Sequence, residues 1–309
     1  MSISFPENLS FADEEGVYMR CCLDLTLYWT ASLFDIASGL KHFYRRSLDL
    51  IGPQVAFYET EAMAGARRIK SNTLDMLEQW LSEKKSRRHI YMLTLHGGDT
   101  PNNPSDCALI LNHNEQEGER AGAVRLLLPV ERFKDDWDGL VSVARVLTQP
   151  LEFMSGHCGF GLSWDEKGDR AVDAVALFPF IARRFPGIDI PDLDVTLYAI
   201  AHAARPAIKT VNWLTFLGTP LVEYLGGTER LVARLGPVCK VQRLDFGIMI
   251  QAGMGPDIGD RNRGDILETY HRVGRLLTGT RVTAHPELVG CSGSGNEELT
   301  AEWLARFDD

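Results

Sequence analysis

From Val17 to Trp29 the chain alternates with period two. Val17, Met19, Cys21, Leu23, Leu25, Leu27 and Trp29 share one face, and Tyr18, Arg20, Cys22, Asp24, Thr26 and Tyr28 share the other. Such alternation predicts a strand with one face on the core and one wetter face, at an antiparallel or edge position. The period then changes. Leu33, Phe34, Ile36, Leu40, Phe43, Tyr44 and Leu48 recur at three- and four-residue steps, which predicts a helix ended by Gly52-Pro53. Residues 54–59 read as a short strand, and Ser71 or Asn72 can cap a helix through Leu74, Leu77, Trp80 and Leu81. Two further strands, 90–95 and 107–111, flank a polar loop at 97–105.

The second half keeps this rhythm. Residues 123–130 form a strand, and Asp136 or Trp137 opens a helix that stops near Pro150. A strand at 153–164 carries Gly156, Gly159 and Gly161, which suggests a bend or close packing by another backbone. A helix at 171–185 contains Pro179, an acidic loop follows at 186–194, and 195–204 fits either a helix or an extended segment. Val211 to Leu217 is a tight apolar strand ending at Gly218; residues 238–251 read as one long strand, and 263–277 and 297–307 as helices. The fold class is α+β (mixed α/β), with mixed, largely antiparallel sheets and helices packed mainly on one face. No linker or low-complexity tract marks a boundary, so one unit over 1–309 is expected, with two lobes dividing near residue 150 as the alternative.

The chain has 309 residues and a net charge of −10. That charge argues against nucleic acid or an anionic membrane as partner and suits a basic protein. No basic and apolar N-terminal leader and no run of about 18 apolar residues is present, so a cytoplasmic protein is expected. Six scattered cysteines without a CxxC read as buried free thiols of a reducing compartment.

Candidate chemistry is sparse. His96 and His113 follow consecutive strands and could converge on a metal, but a third ligand at recognisable spacing is missing. Cys158 with His157, inside Gly156–Gly161, resembles a nucleophile turn, yet the strand runs on where a nucleophile elbow would turn into a helix. These pairs would be the site of a small-molecule enzyme. Neither a glycine-rich nucleotide loop nor a cofactor motif is present, so no cofactor and no metal are expected. Arg67-Arg68 and the cluster at 84–88 read as solvated, the latter at a helix end. Asp135, Asp136 and Asp138 surround Trp137, where helix N-terminal charge explains them. The segment between Pro186 and Asp194 differs, because it mixes carboxylates with large aliphatics. Asp189, Ile190, Asp192, Leu193 and Asp194, with Asp165 and Glu166 after Trp164, are therefore the candidate partner-binding residues.

The most distinctive block is IKTVNWLTFLGTPLVEYLGG at 208–227, which contains no catalytic constellation. Together with VYMRCCLDLTLYW, HFYRRSLDLIG and MAGARRIKSNTLDMLEQWL, it resembles the immunity proteins of bacterial type VI secretion, over roughly residues 17–307. The resemblance implies a non-enzymatic protein that binds a cognate effector toxin, with a nuclease of the restriction-endonuclease type as the expected activity, and neutralises it by stoichiometric blockade. It supplies no catalytic residues. An adaptor that loads an effector onto the secretion machinery is a further alternative.

Overall fold

A computed structural model describes residues 10–14, 16–82, 88–164, 166, 170–282 and 296–309. Residues 84–87 of the basic cluster at 84–88, Asp165 and Cys291 lie outside the described residues; Arg88 is described and pairs with Glu61 at 2.6 Å. In chain order the elements are β1 (Ser10–Asp13), β2 (Gly16–Trp29), α1 (Ala37–Ile51), β3 (Phe57–Thr60), β4 (Arg67–Arg68), α2 (Met76–Ser82), β5 (Ile90–His96), β6 (Ala108–Asn114), β7 (Ala121–Leu128) and α3 (Trp137–Thr148). There follow β8 (Ser155–Trp164), α4 (Ala171–Arg184), α5 (Leu193–Ala201), β9 (Leu214–Gly218), α6 (Thr219–Tyr224), α7 (Thr228–Leu235), β10 (Cys239–Leu244), β11 (Gly247–Ala252), α8 (Glu268–Leu277) and α9 (Asn296–Leu304). The fold is α+β.

Among the described residues the strands join in one sheet ordered β10-β11-β9-β8-β2-β7-β6-β5-β3-β4, with β1 beside the start of β2. Every ladder is antiparallel, and the parallel pairings are isolated bridges, Gly161 with Asp189 and Ile208 with Arg281. β2 lies between β7 and β8, so it is a central strand and not an edge. Its odd positions point into an apolar layer. There Trp80 of α2 meets Tyr91 edge-on at 5.8 Å and Trp137 of α3 meets Phe160 at 6.4 Å. Its even face was expected to be wetter, yet Asp24, Thr26 and Tyr28 are fully buried. Segment 187–192 and helix α5, packed on β7, cover that face. A period-two pattern of polar residues therefore marks a polar interior here, because a second layer lies above it.

Two other expectations change. Residues 238–251 form a hairpin, with Asp245 and Phe246 as its turn, because Cys239–Leu244 and Gly247–Ala252 pair in register. The ambiguous stretch after Asp194 is helical, and Asp192 caps it by accepting a hydrogen bond from the Val195 N–H at 2.9 Å. The expected cap at Asp136 is present and accepts from Gly139 N–H at 2.8 Å. Gly226 and Gly227, with φ of +95° and +89°, make the sharp turn from α6 into α7. Both outer strands of the sheet carry exposed cations, Arg67 and Arg68 on β4 and Lys240 and Arg243 on β10. Charge there discourages pairing with a foreign strand.

Trp213 immediately precedes β9 and is completely buried, with its ring 6.0 Å from Trp137 and its Nε1–H directed at Gly253 O. Trp213→Ala should cost about 3–5 kcal/mol, as other large core truncations do. Chemical denaturation checks this; a variant with the wild-type midpoint would place the ring outside the core.

Candidate partner-binding cleft over a buried ion network

Register builds the site. Thr26 pairs with Arg125 on one side and His157 on the other, Arg125 with Ile110, and Ile110 with Thr94. Directly opposed residues project to the same side, so these form one row across a single sheet face. Asp24, two residues from Thr26, shares that side. At one end of the row the face is sealed and charged. Further along it opens into a cleft.

In the sealed part Arg125 lies 2.7 Å from Asp24 Oδ2 and donates a second hydrogen bond to Leu162 O at 2.7 Å. Thr26 Oγ1–H donates to Asp24 Oδ1 at 2.6 Å. Lys209 Nζ donates to Asp189 Oδ2 at 2.7 Å and to Ile190 O at 2.6 Å. His157 Nε2 stands between the pairs, 3.4 Å from Asp189 and 4.0 Å from Asp24. Burial pushes the Asp189 carboxyl up, but the Lys209 ammonium and His157 outweigh it and hold it well below the usual carboxylate range. Burial likewise opposes the charge of Arg125, and Asp24 more than restores it. Glycine at 161 is a requirement of this arrangement, because a Cβ there would sit 2.6 Å from Cβ of Asp24. The ladder of β8 with β2 runs through its glycines without a shift of register, and they meet the close-packing expectation, since a Cβ at Gly156 would sit 2.5 Å from Thr26 O and one at Gly159 2.0 Å from Asn212 Oδ1.

The C-terminal residues lock the same segment. Arg306 donates to Pro186 O at 2.6 Å and to Thr210 Oγ1 at 2.8 Å, with its guanidinium 4.0 Å from the Trp303 ring centroid. Asp24, His157 and Asp189 bring ligand-type atoms within 4.8 Å of one another. Each carboxylate is already matched by a buried cation, so a divalent ion would have to displace Lys209 or Arg125.

The open part is a cleft of about 530 Å³. Its floor is the sheet face at Met92, Thr94, Ile110, Asn112, Arg125 and Leu127; the loop at 101–105 makes one wall and Pro191–Asp194 with Glu166 the other. Asn112 Nδ2–H donates to Asp194 Oδ1 at 2.6 Å and fixes the first turn of α5 over the floor. Glu59 adds a further carboxylate to the lining.

This geometry divides the candidate residues. Asp192, Leu193, Asp194 and Glu166 come together at the cleft. Asp189 and Ile190 are 1% and 0% exposed and face inward, Asp189 as an ion-pair partner and Ile190 as core; they are corrected from surface contacts to structural residues. The enzyme alternatives also fall apart in space. Cys158 projects to the apolar side of β8, and burial pushes its thiol far up, whereas His157 projects to the opposite face. His96 and His113 stand at opposite ends of the β5–β6 ladder, so they share no site. His113 lies 2.6 Å from Glu115, accepts from Trp29 Nε1–H, and is driven toward the neutral form by burial. Lys209 and Arg306 escaped the sequence reading. A lysine inside the apolar run from Ile208 to Leu217 is the signal that marks a buried ion pair.

Known proteins give context. A protein-family model described as TsiV, Type VI immunity for VRR-NUC, matches residues 38–307. The fold is similar to that of a solved Pseudomonas aeruginosa T6SS protein, PA0821, with a TM-score of 0.82 at 18% identity over 97% of this chain and 88% of that one. No curated protein matches the sequence.

Lys209→Met should destabilise by about 3–5 kcal/mol, because it leaves Asp189 buried without its cation. Adding Asp189→Asn should recover most of that loss, as denaturation of the single and double variants will show. The pH dependence has a fixed sign. Asp189 titrates below its unfolded value near 4, so its stabilisation is complete above that pH and disappears as pH falls below it. Wild type should lose stability below about pH 4 more steeply than the double variant.

Proposed function

The chain belongs to the TsiV family of type VI immunity proteins for VRR-NUC, and on that premise we propose that it silences its effector by covering it, molecule for molecule, without chemistry. The observation that carries this reading is the cleft, whose rim gathers Asp192, Asp194 and Glu166 beside Leu193 in a chain of net charge −10. A nuclease must present cations to hold phosphates. Carboxylates aimed at the same cations compete with the nucleic acid, and Leu193 adds an apolar anchor. Long-range attraction between an acidic chain and a basic groove also speeds the encounter. The separation of Cys158 from His157, and of His96 from His113, supports a binder over an enzyme. No helix among the described residues is long and apolar enough to cross a membrane. We place the protein in the cytoplasm, where a nuclease meets its substrate.

Titration of nuclease activity tests the mechanism. Activity should fall linearly to zero at a fixed molar ratio, and both proteins should be recovered intact after separation. Progressive loss of activity at a small fraction of that ratio would mean turnover and sink the blockade. For the rim, Asp192→Asn/Asp194→Asn/Glu166→Gln should slow association and flatten its dependence on salt, given a Debye length of about 8 Å at physiological ionic strength. Asparagine keeps the cap at 192, so the fold is spared. Unchanged association rates at low and high salt would remove these carboxylates from the interface.

A further inference from the structure

We infer that the outer face of α5, together with Tyr224, forms an aromatic second half of the effector interface; this rests on the immunity reading above. α5 turns Thr196, Leu197 and Ile200 inward, where they are buried. Asp194, Tyr198 and His202 follow at four-residue steps and stack on the outer side, all exposed. Tyr198 is 61% exposed and Tyr224 50% exposed, both unusually open for large aromatics.

These rings are held in place. Tyr198 and His202 have centroids 4.2 Å apart, and His202 Nδ1 lies 2.9 Å from Tyr198 O. Arg205 donates to the Tyr224 hydroxyl at 3.0 Å and lies over its ring at 5.9 Å. A tyrosine already ordered by its neighbours loses little freedom on binding and offers a large amphipathic contact. Tyrosine and arginine are also the residue types that most often dominate interface energetics.

The stripe is continuous with the cleft, because Asp194 begins the one and lines the other. From Asp194 to His202 it runs about 12 Å, at 1.5 Å per helical residue. Charge changes along the chain, from Asp194 at the cleft to the exposed Arg205, three residues beyond His202. The occupant that matches is a segment of the VRR-NUC effector with three features in sequence: cations that enter the cleft, an apolar or planar side chain that lies on Tyr198, and a carboxylate or carbonyl that meets Arg205. A nuclease supplies the first feature from its phosphate-binding groove. The carboxylates bring the partner in, and the aromatic face holds it.

The test uses the full chain and its purified cognate VRR-NUC effector, with binding kinetics at two salt concentrations. Tyr198→Ala should speed dissociation roughly tenfold or more, with association and its salt dependence unchanged. Tyr224→Ala should act in the same direction, and Tyr198→Phe should stay near wild type. Asp194→Asn should do the reverse and mainly slow association at low salt. Because both tyrosines are exposed, the variants should melt with wild type, and hydrogen exchange of wild type should show α5 protected in the complex. Wild-type dissociation from Tyr198→Ala, or no added protection of α5, overturns this surface alone. Failure of the wild-type chain to bind the effector overturns the immunity reading, and this surface with it.

Discussion

The burial of Asp24 and Asp189 under one face of the central sheet constrains everything around it. Taking a carboxylate out of water costs several kcal/mol unless a cation and hydrogen bonds replace the solvent. Asp24 obtains these from its own sheet, through Arg125 one strand away and Thr26 two residues along. Asp189 cannot, because it arrives on a loop. It depends on Lys209 from the chain just before β9, and Lys209 in turn also holds Ile190 O. Segments distant in sequence must therefore reach their final places together, and Arg306 closes the arrangement from the C-terminal end. Such a network adds little net stability over an apolar core, but it penalises alternative placements of the loop.

That penalty bears on the proposed contact surface. The loop that Asp189 anchors leads directly into Pro191 and the first turn of α5, where Asp192 caps the helix and Asp194 bonds Asn112. The wall of the cleft is consequently part of the rigid frame. A rigid recognition surface spends less of its contact energy on ordering itself when a partner arrives. Arg125 belongs to both regions, since it pairs with Asp24 and also floors the cleft, so the buried network and the proposed contact surface are one continuous construction.

An acidic antagonist of a nuclease also has to avoid sticking to itself and to other sheets. Repulsion between chains of net charge −10 addresses the first need. Cations at both outer strands address the second, because an incoming strand would have to bury them.

The sequence by itself determined the elements and their kind. Period-two and three-to-four spacing located β2, α1, α3, β8 and α4, and the depth of Trp213 followed from its apolar neighbours. All of these are local properties, in which periodicity reports which side of an element faces other protein. The family resemblance, too, was legible as contiguous blocks. The sequence marked the stretch around Asp189 to Asp194 as unusual but could not divide it. Asp189 and Asp192 are three residues apart and chemically identical, yet one is an internal ion-pair partner and the other stands at the rim of a cleft. That division depends on Lys209, twenty residues away, and on the bridge between Gly161 and Asp189. Likewise β2 read as half-exposed, because its even face looks the same in sequence whether water or α5 lies above it. Tertiary structure alone decided which carboxylates meet cations inside the protein and which stand at the rim of the cleft, since a charge is placed by the whole set of neighbours that replaces its water.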